Sequence, residues 1–235
     1  MRKILVIFDC DGVLVDSEPL ASRILGRTAR ELGLDMSDFE AKELFTGCSM
    51  NMVIGIFNNL LSVPLKRDFS ETFIRDLHKC MRNELKPITD IKSTITKIKN
   101  LKYVGGLCVA SNGDAETVKM SLEVTGLKGL FKNNIFSAQE VKCGKPSPDL
   151  FLYAARQMGF SPEHCVVIED SDRGIAAGVA AGMHVFQYKP NLEQNKSLNE
   201  NHNGDLPILF RSMENLPKLL DLSHTRYSLK KRPGY

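Results

Sequence analysis

Two pairs of acidic residues, far apart in the sequence, each stand directly after a short apolar run. Asp9 and Asp11 form the first pair, and Glu169 and Asp170 form the second. Two carboxylates spaced this closely can divide a reaction between them, because one can attack or bind a metal while the other transfers a proton. Grouped like charges are costly unless a cation compensates them, and carboxylate oxygens are ligands that Mg²⁺ prefers. The two pairs therefore predict a magnesium site where the fold brings them together.

Two further segments carry groups that suit a phosphate. Ser111 and the backbone N–H groups beside it can hold phosphate oxygens. Lys145, between Gly144 and Pro146 in a turn-like segment, can neutralise phosphoryl charge. Taken singly, each residue has an ordinary interpretation, with Ser111 in a turn, Lys145 solvated and Asp9 as a turn or capping residue. It is their combination that indicates chemistry on a phosphate.

The apolar runs that precede these polar groups predict strands of a parallel sheet. Continuous apolar runs of this length are typical of strands that are buried on both faces. We place the strands at Ile4–Phe8, Gly106–Ala110, Cys165–Ile168 and His184–Tyr188. We place helices between them that begin at Asp114, Ser147-Pro148 and Ser171 and end at Gly126, Gly159 and Gly182. This alternation predicts a doubly wound parallel α/β sheet, in which ligands bind at the carboxyl ends of the strands.

A helical stretch interrupts the alternation of strands and helices. Strand signals are scarce in residues 17–85, and apolar residues recur there at helical spacing. The sequence therefore predicts an α/β core of residues 1–16 and 86–235 that carries an all-helical insertion of residues 17–85. The first apolar residues with helical spacing in this insertion are Leu20, Ile24, Leu25 and Leu32.

Composition and charge narrow the class of protein. The chain has 235 residues, of which 43% are hydrophobic, and a formal net charge of +3. This composition is ordinary for a globular protein, and the charge is too small to argue for nucleic-acid or membrane partners. Six dispersed cysteines without a Cys-x-x-Cys pair argue against structural zinc. With neither a signal-peptide pattern nor an apolar run long enough to span a bilayer, we expect a cytoplasmic protein, monomeric or weakly homo-oligomeric.

The four polar clusters resemble the ordered motifs of the haloacid dehalogenase-like (HAD) superfamily. The stretch from Asp9 to Ser17 resembles the first motif, Ser111-Asn112 the second, Lys145-Pro146 the third, and Glu169-Asp170-Ser171 the fourth. The set occurs in the right order and covers nearly the whole chain. The resemblance implies a Rossmann-like core, and the insertion resembles the helical cap domain of the β-phosphoglucomutase and phosphoglycolate-phosphatase branch.

The resemblance also implies a mechanism. Asp9 would be the nucleophile that forms an aspartyl-phosphate, and Asp11 the general acid and then the general base. Mg²⁺ would be held by the Asp9 side chain, the Asp11 backbone carbonyl and the Asp170 side chain. Glu169 would contact the ion through water or support its ligands. The residues implied to bind the transferring phosphoryl group are Ser111, Asn112 and Lys145.

Substrate choice is expected to lie in the helical insertion. Glu18, Arg23 and the loop residues Thr46 and Gly47 fall in regions that contact the substrate in similar enzymes, although surface roles are as compatible with their types. The opening of the insertion is similar to that of sugar-phosphatase members, which include a 6-phosphogluconate phosphatase. We therefore expect a phosphatase for a small phosphorylated metabolite, either a sugar phosphate or a sugar-acid phosphate.

Three other functions are compatible with parts of the pattern. A β-phosphoglucomutase-type isomerase would share the aspartyl-phosphate, but those enzymes carry a histidine where this chain has Ala21. A haloalkanoate dehalogenase would lack the second acidic residue, so Asp11 argues against it. A non-catalytic phosphate-binding protein would be expected to lack a motif residue, and every motif residue is present.

Overall fold

The core of the fold is a parallel β-sheet. The computed structural model describes residues 3–45, 48, 50–191 and 207–230. Within these residues the sheet has six strands, in the order β3-β2-β1-β4-β5-β6, and all neighbouring strands run parallel. The strands are β1 (Ile4–Phe8), β2 (Val104–Ser111), β3 (Ile135–Ser137), β4 (Cys165–Glu169), β5 (His184–Tyr188) and β6 (Ile208–Phe210).

The central strand shows why the apolar runs become strands. In β1, Val6 and Phe8 pack into one apolar cluster, whereas Leu5 and Ile7 pack into another. Successive side chains of a strand point to opposite faces, so both faces of β1 are covered. All four side chains have no solvent exposure. A strand in this position needs an uninterrupted apolar sequence.

Helices cover both faces of the sheet, and their ends follow the capping signals. Asp114 caps α6 by accepting a hydrogen bond from Thr117 N at 2.9 Å, and Ser171 caps α9 by accepting one from Gly174 N at 3.0 Å. The helices are α1 (Glu18–Glu31), α2 (Asp38–Phe45), α3 (Met50–Leu60), α4 (Phe69–Glu84), α5 (Ile91–Lys99), α6 (Ala115–Val124), α7 (Lys128–Phe131), α8 (Asp149–Met158), α9 (Asp172–Ala180) and α10 (Leu216–Lys230).

The helices α1 to α4, here called the helical segment, form a separate apolar cluster. Phe57 is fully buried at its centre, stacked on Phe45 at 5.1 Å between ring centroids and edge-on to Phe69 at 5.4 Å. Leu77 packs against both this cluster and a cluster of the α/β core. The predicted fold class, a parallel α/β core with an inserted helical unit, is confirmed. The domain limits remain a prediction.

Two smaller findings concern the cysteines and the helices. All six cysteines are free thiols. Within the described part of the chain, no helix combines the length and the apolar character needed to cross a membrane.

Candidate active site

Three neighbouring strands place the predicted polar groups at one edge of the sheet. β1 lies between β2 and β4, and Asp9 follows β1 directly, with its N–H donating to Ile168 O at 3.0 Å. Ser111 is the last residue of β2, and Glu169 is the last residue of β4. Since the strands are parallel, their carboxyl ends meet here, as the sequence predicts.

Lys145 connects two of these strand ends. Its ammonium group lies 2.5 Å from Asp9 Oδ1 and 2.7 Å from Glu169 Oε1, and its side chain is only 3% exposed. Burial alone would lower the pKa of Lys145, but the negative charges of Asp9 and Glu169 outweigh burial and raise it. The lysine therefore stays charged, and it fixes the orientation of the Asp9 carboxylate.

Both carboxylate oxygens of Glu169 accept hydrogen bonds from protein donors. Its Oε1 accepts from Lys145, and its Oε2 accepts from the Asp170 and Ser171 backbone N–H groups at 2.9 and 3.0 Å and from Ser171 Oγ at 3.0 Å. The side chain has no solvent exposure. This arrangement favours Glu169 as a partner that orients Lys145 and the turn at Asp170, over a direct metal ligand.

Gly174 in α9 makes room for this buried carboxylate. A Cβ atom at position 174 would overlap the Glu169 carboxylate, whereas one at Gly55 in α3 would meet open space. Alanine is favoured over glycine in a helix by about 1 kcal/mol, whereas overpacking a core costs about 1–3 kcal/mol. The two glycines therefore offer a matched comparison.

We expect Gly174→Ala to lower the thermal midpoint by several degrees and kcat by about tenfold or more, because it displaces Glu169 and with it Lys145. Gly55→Ala should leave activity unchanged and raise the midpoint slightly. Thermal unfolding and steady-state kinetics of the two purified variants test this. Equal behaviour of the two variants would contradict the packing argument.

Asp11 is held by a residue to which sequence reasoning assigned no role. Ser17 Oγ donates to Asp11 Oδ1 at 2.5 Å, and Ser17 is itself buried. Burial raises the pKa of Asp11, although the hydrogen bond from Ser17 opposes the rise. A carboxyl group with a raised pKa holds its proton more readily, which suits a general acid. Only the place of Ser17 at the end of the first motif could have indicated this contact.

The carboxylates at this edge form a group suited to a divalent cation. Oxygen atoms of Asp9, Glu169 and Asp170 lie within 4.8 Å of one another. Burial raises the pKa of Asp9 well above its ordinary value in spite of Lys145. Burial, with the charges of Glu169 and Glu18, raises the pKa of Asp170 to about 7. Since one lysine faces several carboxylates, the site has excess negative charge that a cation would compensate.

Gly12 brings the backbone close to this group. It has φ +78°, and a Cβ atom there would collide with the Asp170 carboxylate. Glycine adopts this left-handed conformation without strain and leaves space for the carboxylate. The Asp170 side chain therefore lies against the backbone of the turn that carries Asp11.

The side chain of Asn112, a predicted phosphate-binding residue, makes two hydrogen bonds to the backbone of Lys145. Its Oδ1 accepts from Lys145 N at 2.8 Å, and its Nδ2 donates to Lys145 O at 3.0 Å. Arg173, which was not predicted, donates to the same carbonyl at 2.9 Å. The Asn112 amide thus positions the backbone of Lys145, and the predicted contact of Asn112 with phosphate stays a prediction.

The residues predicted in the helical insertion differ in location. The negative charge of Glu18 contributes to the raised pKa of Asp170, so Glu18 lies near the carboxylate group. Arg23, a predicted substrate contact, pairs with Glu84 at 2.7 Å, and both side chains are nearly half exposed. The contact of Arg23 with the substrate stays a prediction. Thr46 and Gly47 lie outside the described residues.

Comparison with known proteins identifies relatives along most of the chain. A family model described as haloacid dehalogenase-like hydrolase matches residues 6–188. The chain is 30% identical to 6-phosphogluconate phosphatase of Escherichia coli, over 78% of this chain and 81% of that protein. It is 29% identical to hexitol phosphatase A of the same organism, over 77% of this chain and 80% of that protein.

A solved structure with the same fold was also found. It is a HAD family hydrolase from Deinococcus radiodurans with bound phosphate and sodium, with a TM-score of 0.76 and 28% identity. The match covers 95% of this chain and 97% of the other. The similarity includes both the sheet and the helical segment.

Proposed function

The chain belongs to the haloacid dehalogenase-like hydrolase family, and on that premise we propose that it is a magnesium-dependent phosphatase acting on a small phosphorylated sugar or sugar acid. The observation that carries the proposal is the Asp9 carboxylate, held by Lys145 at 2.5 Å beside the carboxylates of Glu169 and Asp170. In this arrangement the Asp9 nucleophile is oriented by the ammonium group of Lys145 and lies beside a site for a metal ion.

The proposed reaction has two steps. An Asp9 oxygen attacks phosphorus, the bond from phosphorus to the substrate oxygen breaks, and Asp11 gives its proton to the leaving oxygen. Asp11, now ionised, then accepts a proton from water as the water attacks the phosphorus of the aspartyl-phosphate. The phosphorus–oxygen bond to Asp9 breaks, which restores the carboxylate and releases inorganic phosphate. The hydrogen bond from Ser17 holds Asp11 for both proton transfers.

The carboxylate group fits Mg²⁺ by its donor atoms and its excess charge. We propose that the side chains of Asp9 and Asp170 and the backbone carbonyl of Asp11 hold the ion. Glu169 would not be a direct ligand, because both of its oxygens already accept protein hydrogen bonds. When bound, Mg²⁺ would compensate the negative charge of the phosphoryl group and of its ligands.

Two residues of the site suit the transferring phosphoryl group. Ser111 is 2% exposed at the end of β2, and its Oγ accepts from Gly113 N at 3.0 Å, which leaves the hydroxyl proton for an acceptor. Lys145 carries a charge that a phosphoryl oxygen can share with Asp9. We propose that both bind the phosphoryl group, while Asn112 holds Lys145 in place.

The substrate class is supported by the relatives. The two phosphatases named above act, by their names, on 6-phosphogluconate and on hexitol phosphates, and the solved relative is described with bound phosphate. We propose that residues 17–85 form the cap that selects the substrate, and that Glu18 contributes to this choice. Ala21 carries no group that can transfer a proton, so nothing at that position favours the mutase.

The test is phosphate release from a panel of sugar phosphates, sugar-acid phosphates and phosphoglycolate, with Mg²⁺ or with a chelator. We expect release from at least one sugar or sugar-acid phosphate, a loss of about 100-fold or more on chelation, and recovery when Mg²⁺ is added back. Release that is unaffected by the chelator would contradict the metal proposal. Isomerisation of a sugar 1-phosphate without phosphate release would contradict the phosphatase proposal.

A further inference from the structure

A hydrogen bond joins the helical segment to the α/β core close to the candidate active site. His78 in α4 has its Nε2 atom 2.6 Å from Thr117 Oγ1, in the first turn of α6. The two residues are 39 positions apart and belong to the two parts of the fold. Both side chains are partly buried, so water competes less for this contact than for one on the surface.

The direction of this hydrogen bond follows from the groups around Thr117. Its hydroxyl donates to Asp114 Oδ2 at 2.5 Å. Burial would raise the pKa of Asp114, but the hydrogen bonds from Thr117 and the nearby His78 lower it, so Asp114 is an ionised acceptor. A hydroxyl has a single proton, which Thr117 gives to Asp114. His78 must therefore be the donor, through Nε2–H, in its neutral or its charged form.

The contact ends on the loop that builds the site. Asp114 caps α6 and directly follows Ser111, Asn112 and Gly113. The charge of Asp114 contributes to the raised pKa of Asp11, so the two carboxylates lie near each other. His78 is thus connected through Thr117 and Asp114 to the loop of residues 111–114.

The apolar contacts beside His78 do not by themselves define how the helical segment lies against the core. Leu77 packs against both the cluster of the helical segment and that of the core. Apolar packing is non-directional and tolerates sliding, whereas a hydrogen bond requires a defined distance and angle. Among the contacts described here between the helical segment and the core, the hydrogen bond from His78 is therefore one with a defined direction.

We propose that His78 is a positioning residue, whose hydrogen bond holds the helical segment in position against the first turn of α6. This positioning is here called the seating of the segment. Its effect on turnover rests on the proposed phosphatase function, whereas the seating itself does not. Loss of the hydrogen bond should raise KM for the best sugar phosphate by about 3- to 10-fold, the factor that one net hydrogen bond supplies. The kcat value should stay within about twofold, because the loop keeps its other anchors, such as Ser137 Oγ to Gly113 O at 2.7 Å.

Hydrogen exchange followed by mass spectrometry, without any substrate, tests the seating. His78→Leu removes the donor, and its effect is measured as the exchange rate of peptides from α6. Thr117→Val removes the acceptor, and its effect is measured as the exchange rate of peptides from α4. We expect each variant to accelerate exchange on the opposite helix by about 3- to 10-fold. The variants His78→Gln and Thr117→Ser keep a donor and a hydroxyl and should behave like the wild type. Lys79→Ala, at the exposed neighbour of His78, is the matched control.

The double variant His78→Leu/Thr117→Val separates coupling from independent damage. If the two residues act through one hydrogen bond, the double variant exchanges no faster than the faster single variant. Unchanged exchange on the opposite helices, or effects that add in the double variant, would overturn the proposal. Altered exchange in a protein without phosphatase activity would leave the seating supported and the proposed function refuted.

Discussion

Asp9→Asn is expected to abolish phosphate release, with a loss of about 10⁴-fold or more in kcat, because an amide oxygen does not attack phosphorus to give a stable covalent intermediate. The fold should persist, since the Asn side chain has nearly the same shape and its oxygen can still accept from Lys145 Nζ. Phosphate release from the best substrate of the panel, together with thermal unfolding, measures both effects.

Asp35→Asn is a suitable control for this variant. It makes the same chemical change at an exposed residue between α1 and α2. It should retain activity within about twofold. Appreciable phosphate release by Asp9→Asn, at a rate similar to that of Asp35→Asn, would exclude Asp9 as the nucleophile.

Asp11→Asn is expected to affect the two proposed steps differently. With a sugar phosphate, whose leaving oxygen needs a proton, phosphate release should fall by about 10²- to 10⁴-fold. With p-nitrophenyl phosphate, whose leaving group departs without a proton, the first step should proceed. The second step should still be slow, because no base activates water. A burst of about one p-nitrophenol per protein should therefore precede slow turnover.

Ser17→Ala tests whether the hydrogen bond to Asp11 matters for the same steps. Because Ser17 only positions Asp11, its removal should slow turnover of both substrates less than Asp11→Asn does, and it should give no burst.

Equal slowing of the first step by Asp11→Asn with both substrates would contradict the role of Asp11 as general acid.

Much of the fold could be predicted because its signals are local. The apolar run at Ile4–Phe8 predicts a strand because a central parallel strand has no solvent-exposed face. Asp114 and Ser171 predict helix starts because they accept the hydrogen bonds of exposed backbone N–H groups. The meeting of Asp9, Ser111 and Glu169 follows from the rule that ligands bind at the carboxyl ends of parallel strands.

Elements at the edges of the fold were not predicted. β3 and β6 have three residues each, too few for a periodic pattern. The lysine-rich helix α5 buries a stripe that includes Ile91, Ile95 and Ile98, but it stands beside the predicted insertion and carries no strong start signal. Short elements of this kind are stabilised by their neighbours in space, which the sequence does not reveal directly.

In the site, too, the positions set by strand ends could be predicted, whereas contacts between residues far apart in the sequence could not. Which residues meet could be predicted from strand ends, but their partners depend on side-chain geometry. The hydrogen bonds between Asn112 and the backbone of Lys145 and the ion pair of Arg23 with Glu84 are contacts of this kind. The hydrogen bond of His78 crosses 39 residues and has no sequence pattern that would indicate it.

The measurement that tests the central proposal most directly is to identify the residue that carries the phosphoryl group. Asp11→Asn would be reacted with p-nitrophenyl phosphate and Mg²⁺, quenched in acid during the burst and reduced with borohydride, which converts an aspartyl-phosphate into homoserine. Peptide mass spectrometry then locates the change. We predict homoserine at position 9 alone, and none when Asp9 is also replaced by Asn. Homoserine at another carboxylate, or none during a clear burst, would contradict phosphoryl transfer to Asp9.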